Sequence, residues 1–236
     1  MPGACRIWQV ATGEIRSADL EPDDGTIEDA LLRGRFIAQP ARPGDARDVG
    51  GLTAVQRALL LNDGTVTSLL EALAREPIMV DVLDQRDTSS DADGARSLDL
   101  PADSAIVSRR VLLRGLSGRV HAVAESLLVP ARLPPAFILA LAGNSRGLGA
   151  VLDELRLETR RDLLWFGAAD TPEWSREAGV REPALLTRSY RVVVGGVPAI
   201  LITEGFLRQA GAAPLRSGAG PSKAGSAGSA GREEVL

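Results

Sequence analysis

Residues 188–206 read RSYRVVVGGVPAILITEGF, two runs rich in β-branched residues on either side of the pair Gly195-Gly196. Adjacent glycines supply the positive φ that a tight two-residue turn requires, so Arg188 to Val194 and Val197 to Phe206 are expected to form an antiparallel hairpin. A second hairpin is expected upstream, where Ala105 to Arg114 and Arg119 to Val129 flank the turn Gly115-Leu116-Ser117-Gly118. Between the hairpins, Pro134 to Leu141 and Leu148 to Leu155 have helical patterning, and Glu158 to Phe166 reads as a further strand. Hairpins with inserted helices predict an α+β fold: a single antiparallel β-sheet with flanking helices.

Working outward, Val55, Leu59 and Leu60 sit at helical spacing until Asn62-Asp63-Gly64 breaks the helix. Thr65 or Thr67 can cap a second helix, Ser68 to Arg75, and Pro77 opens the strand-like run Ile78 to Leu83. Asp87 to Pro101 is polar and without periodicity, and is expected to be a loop. Residues 1–51, rich in Asp, Gly and Pro, are expected to be an accessory, partly disordered segment, and 52–209 to form the folded domain. The Gly, Ser and Ala composition of 210–236 has little to bury, so this tail is expected to be disordered.

Composition narrows the function. At 236 residues and 44% hydrophobic, the chain can bury a core, but at 3% aromatic it has no stripe of rings on which bases could stack. The net charge of −4 also argues against a nucleic-acid partner and leaves a small anion as a possible ligand at a local cluster of arginines. One cysteine, Cys5, and one histidine, His121, exclude an intramolecular disulfide, a thiolate zinc site and a histidine metal cluster. A metal held by carboxylates and water would need an Asp/Glu cluster at calcium-loop or two-metal spacing, which the sequence lacks, so no metal is expected. Met1 to Arg16 lacks a basic region followed by an apolar run, and no stretch of some eighteen apolar residues occurs. A cytoplasmic protein without membrane contact is expected, a monomer or weak oligomer.

Strand alternation puts Val107, Arg109, Val111 and Leu113 on one face of the first hairpin, opposite Ser108, Arg110, Leu112 and Arg114. In the last strand Ile200, Ile202, Glu204 and Phe206 share a face. Arg109 and Glu204 are thus placed among residues that want burial. A buried ion is costly unless paired, so the two either bridge each other or face a ligand.

The run Arg109-Arg110-Val111-Leu112-Leu113-Arg114-Gly115 resembles the substrate-arginine strand of the chorismate lyase family, with Arg109 at the arginine that pairs with the ring carboxylate. Arg146-Gly147-Leu148-Gly149 resembles the family's short loop, in which Leu148 and Gly149 close over the ligand. Ile202-Thr203-Glu204-Gly205-Phe206 is similar to its Thr-Glu-x-Phe segment, with Glu204 at the glutamate that meets the ring oxygen. Asn62 to Thr67 resembles an early helix-capping segment, with Val66 at an apolar pocket position. The likeness runs from about Leu52 to Leu207 with these motifs in family order, and is greatest to an actinobacterial-type branch through Ala124-Glu125-Ser126, Arg132-Leu133-Pro134 and Tyr190-Arg191. The ubiquinone-pathway branch differs in having an arginine where Glu125 stands and one residue fewer between the proline and the glutamate, a difference that a bulge could absorb.

The resemblance implies a chorismate pyruvate-lyase that forms 4-hydroxybenzoate and pyruvate from chorismate without a cofactor. Such a reaction needs both substrate carboxylates held, water excluded and one proton moved. Arg109 suits a carboxylate because its planar fork binds bidentately. Glu204 could donate a proton to the departing enolpyruvyl group or accept one from the ring; Arg86 and Arg191 are candidates for the enolpyruvyl carboxylate, each with an ordinary surface or sheet role as its alternative. His121, Ser126, Trp165 and Trp174 are read as structural, since no Gly-x-Ser-x-Gly frame or second histidine accompanies them. The competing function is a non-catalytic domain of the same fold that binds an aromatic acid or effector, as in GntR regulators. That would call for a helix-turn-helix domain, which residues 1–51 are too acidic and Pro/Gly-rich to form.

Overall fold

The computed structural model describes residues 32, 34–37, 47, 49–142, 147–207 and 216–217. Six strands form one antiparallel sheet: β2 (Ile78–Ser89), β3 (Ala105–Gly115), β4 (Val120–Leu128), β5 (Thr159–Asp170), β6 (Ala184–Val194) and β7 (Val197–Phe206). Their order is β2-β3-β4-β7-β6-β5. After β4 the chain crosses to the far edge, and the meander β5, β6, β7 brings β7 back beside β4, so the two hairpins foreseen in the sequence meet at the sheet centre. Gly195 and Gly196 take φ of +58° and +86°, as a two-residue hairpin turn demands. A separate two-stranded ladder pairs β1 (Val49–Gly50) with β8 (Arg216–Ser217). Arg216 and Ser217 belong to the tail expected to be disordered from 210 onward; beyond 210 its other residues lie outside the described residues.

The hairpin carries a one-residue irregularity with a large effect on the sheet. Val193 pairs with Pro198 but Val192 pairs with Ile200, so Ala199 is an extra residue in β7. A regular ladder from the same turn would set Arg188 opposite Thr203, with Glu204 facing the other way. With the bulge, Arg188 stands opposite Glu204 and the two share a face. The bulged residue is fully buried, and its carbonyl accepts a 2.9 Å hydrogen bond from the Val129 N–H.

Two pairs of helices cover one face of the sheet. The first is α1 (Ala54–Leu61), with a capping box between Thr53 and Gln56, and α2 (Val66–Ala74), closed by Arg75 in the left-handed region. They pack Leu59, Val66 and Leu70 against Ile78, Val111, Leu113, Ala124 and Phe206. In the expected polar loop, β2 instead extends to Ser89, and a third helix follows, α3 (Ala92–Ser97), capped by Asp91 on the Gly94 N–H. An edge strand wetted on its outer side has no need of alternating apolar residues, which explains its invisible pattern. Beyond β4 come α4 (Pro135–Ala142) and α5 (Leu148–Glu154), the second covering pair, whose Phe137, Leu141, Val151 and Leu152 pack on Leu128, Tyr190, Val192, Ile200 and Ile202. The short α6 (Glu173–Glu177) and α3 contribute to the packing of smaller clusters, around Leu112, Val123 and Leu185 and around Ile106 and Val129.

Upstream of the domain, Leu32 and Val49 are buried in a cluster with Leu52, Leu60, Phe166, Ala168 and Leu186. Arg47 bridges Ala168 at the β5 edge and pairs with Asp170 at 2.6 Å. Part of the accessory segment is therefore packed on the sheet.

Gly205 exemplifies how tightly the central strands pack. A Cβ there would fall 2.8 Å from Leu185 Cδ1 and 3.2 Å from Val123 Cγ2. Gly205→Ala is expected to destabilise the protein by about 1–3 kcal/mol through overpacking, read as a lower urea midpoint with an unchanged slope.

Candidate functional site

The two helix pairs leave a seam between them, and a cavity lies in it. Its lining draws on both clusters, with Val66, Val111, Leu113 and Ala124 from one and Leu148, Leu152, Tyr190, Val192 and Ile202 from the other. Arg109 and Glu204 both line it, at 2% and 3% exposure. Because β3 and β7 both pair with β4, their backbones stand about two strand spacings, roughly 9.6 Å, apart. The intervening β4 residues on that face are Ala124, opposite Glu204, and Ser126, opposite Arg109. Their small side chains leave the floor open between the two charges.

Glu204 does not depend on Arg109 for a partner. Its Oε2 accepts a 2.8 Å hydrogen bond from Arg188 Nε, and its Oε1 accepts one of 3.0 Å from the Tyr190 hydroxyl. Arg188 is completely buried; its Nη1 donates to the Leu60 and Asn62 carbonyls at the end of α1, and its guanidinium lies 4.8 Å from the Tyr190 ring centre. Burial works against the charge on Arg188, but Glu204 and Tyr190 outweigh it and hold its pKa above the usual arginine value. Burial, reinforced by the Glu204 charge, pushes the Tyr190 hydroxyl far above the ordinary phenol range, so it stays protonated and donates. Burial also lowers the pKa of Arg109.

The other residues singled out in the sequence divide. Val66, Leu148 and Gly149 line the cavity, and Gly149 is so close to Thr65 that a Cβ would fall 2.9 Å from its Cγ2. Arg146 lies outside the described residues. Arg86 and Arg191 do not line the cavity: Arg86 pairs with Asp84 on β2, and Arg191 pairs with Asp162 at 3.0 Å and reaches the Ser97 carbonyl. Arg160 and then Arg191 hold the Asp162 carboxyl below its usual range, against the effect of burial. The second arginine of the cavity is Arg161 on β5, which the sequence reading passed over together with Arg188 and Tyr190. Ser126, read as structural, is a strand residue that lines the cavity. His121 is buried with Nε2 3.4 Å from Glu76 Oε1, and Glu76 accepts from the Ser117 N–H and hydroxyl, so this cluster fastens the β3–β4 turn to the end of α2. Trp165 is buried, and Trp174 lies under the Arg110 guanidinium at 5.7 Å. Among the described residues, no helix is long and apolar enough to cross a membrane.

Comparison with known proteins identifies the family. The family model described as chorismate pyruvate-lyase, Rv2949c-like, matches residues 60–212. A chorismate pyruvate-lyase of Mycobacterium leprae is 33% identical over 159 residues, spanning 64% of this chain and 73% of its own length. A chorismate pyruvate-lyase of Mycobacterium tuberculosis is 31% identical over 157 residues, covering 64% of this chain and 79% of the relative. The effector domain of PhnF from Mycobacterium smegmatis shares the fold, with a TM-score of 0.50 at 12% identity, over 72% of this chain and 92% of that one.

The buried pair sets a measurable coupling. Glu204→Gln strands the Arg188 charge and is expected to lower the unfolding free energy by about 3–5 kcal/mol, while adding Arg188→Met should recover most of that loss. Chemical denaturation of the two single variants and the double variant tests this; losses that simply add would show that the two side chains are not coupled.

Proposed function

On the premise that the chain belongs to the Rv2949c-like chorismate pyruvate-lyase family, we propose that it converts chorismate to 4-hydroxybenzoate and pyruvate in the seam cavity. The observation that carries this reading is the convergence of Arg109 and Glu204, from opposite neighbours of β4, on one apolar-walled space. Arg109 takes the ring carboxylate as a charge-assisted pair strengthened by burial. Val66, Leu148 and Leu152 are the apolar wall that keeps water from the reacting ring.

Glu204 serves as the proton acceptor. Arg188 and Tyr190 each donate to one of its oxygens and hold the carboxylate in place beside the ring. The ring hydrogen on the hydroxyl-bearing carbon leaves as a proton to Glu204, and the electrons of that C–H bond complete the aromatic ring. The ether bond to the neighbouring carbon breaks with its electron pair on the enolpyruvate oxygen. Enolpyruvate then gains a proton at its methylene carbon and becomes pyruvate. Aromatisation supplies the driving force, and no cofactor enters the balance.

The decisive experiment is incubation with chorismate, with 4-hydroxybenzoate followed chromatographically and pyruvate by a coupled assay. Equimolar products are expected, unaffected by chelators or thiol-blocking reagents. Arg109→Ala should raise KM by roughly 10- to 100-fold through loss of charged hydrogen bonds. Glu204→Gln, assayed where circular dichroism shows it folded, should lower kcat by roughly 10²–10⁴-fold with less effect on 4-hydroxybenzoate affinity. Tight binding of aromatic acids with no release of pyruvate would favour an effector-binding role instead.

A further inference from the structure

Arg161 is the charged group of the cavity that the chemistry above does not employ. It stands on β5, four strands across the sheet from Arg109 on β3, so their backbones are separated by roughly 19 Å and their side chains approach the cavity from opposite sides. Its neighbours in sequence and across the ladder are neutralised: Arg160 and Arg191 both donate to Asp162. Among the described residues, Arg161 has no carboxylate partner. Its Nη1 donates to the Asp63 carbonyl, which fixes the guanidinium beside the start of α2, and its Nε is buried without an acceptor. A buried donor left unsatisfied opposes folding unless something else completes it.

The surroundings are suited to an anion. Thr65, Val66 and Thr67 line the same cavity, and the first N–H groups of α2 have no acceptor within the helix. The Thr65 hydroxyl does not cap them; it contacts Asp153 Oδ2 at 3.2 Å. Arg161, Tyr190 and Glu204 line the same cavity.

We propose that Arg161 is the anchor for a second carboxylate and makes this cavity selective for dicarboxylates, one acid group held at Arg109 and the other at Arg161. This rests on the lyase reading for the identity of the substrate, whose second carboxylate is that of the enolpyruvyl group. After cleavage the two anchors hold different products. The aromatic acid keeps Arg109, while pyruvate keeps Arg161. Arg161 therefore governs substrate capture and pyruvate retention and contributes little to aromatic-product affinity.

The test uses the intact chain, Arg161→Met and Arg161→Lys, with two calorimetric probes: 3-(carboxymethoxy)benzoate, which carries both acid groups, and 3-methoxybenzoate, which lacks the second. The native protein should favour the dicarboxylate by roughly 10- to 100-fold, Arg161→Lys by less, and Arg161→Met close to not at all, with affinity for 4-hydroxybenzoate unchanged throughout. In turnover, Arg161→Met should raise KM for chorismate by a similar factor and leave kcat within about threefold. A dicarboxylate preference that survives in folded Arg161→Met, or in Arg161→Lys if the former does not fold, with the magnitude of the native protein, overturns the inference even if chorismate is turned over. An Arg161-dependent preference without turnover supports it and removes the lyase reading alone.

Discussion

The pairing of Arg188 with Glu204 is the constraint around which the sheet is arranged. A guanidinium and a carboxylate, both almost without solvent contact, sit on a face otherwise given over to aliphatic packing. Either alone would carry a heavy desolvation penalty, and together they tolerate burial only because Tyr190 and the carbonyls at the end of α1 satisfy further hydrogen bonds. Their alignment depends on a single inserted residue, Ala199. The bulge thereby links strand register, a backbone property, to the pairing of the acidic side chain that lines the cavity.

The same arrangement explains why a cavity persists where a core would close. Two helix pairs cover one sheet face as separate clusters, and the strand running beneath their boundary carries Ala124 and Ser126. Apolar side chains that filled the seam would desolvate Arg109 and Arg161 without offering either a partner. The charged side chains that line the space are Arg109, Arg161 and Glu204, a net cationic set. That balance is local: the chain as a whole carries a net charge of −4.

Much of this was legible in the sequence because alternation is counted from a residue within the strand. Counting in twos along β3 and β7 places Arg109 and Glu204 on their faces regardless of what the neighbouring strand does, and Gly195-Gly196 fixes the turn. Pairing across the turn is a different matter. Counting outward from the glycines sets Arg188 opposite Thr203, and only the bulge makes it the partner of Glu204. Arg160, Arg161 and Asp162 present a polar run at the start of β5 with no apolar alternation to show which side faces inward. Arg86 and Arg191 were plausible on residue type, but each already has an aspartate beside it. The helix α3 escaped notice because its buried residues are Gly94, Ala95 and Ser97, which leave no apolar signature.

The cluster of Leu32, Val49 and Leu52 with Leu60, Phe166 and Leu186 has a consequence for where this protein's functional unit begins. The family model matches from residue 60, yet Phe166 pairs across the ladder with Arg188, and Leu60 supplies one of its carbonyl acceptors. Leu32 and Val49, which precede both that match and the likeness seen in the sequence, therefore form part of the packing beside the buried charge pair. Homology marks out the machinery, but the dielectric in which it operates is set partly by sequence outside that boundary. A chain trimmed to the homologous region would keep the charged residues of the cavity and admit water behind them.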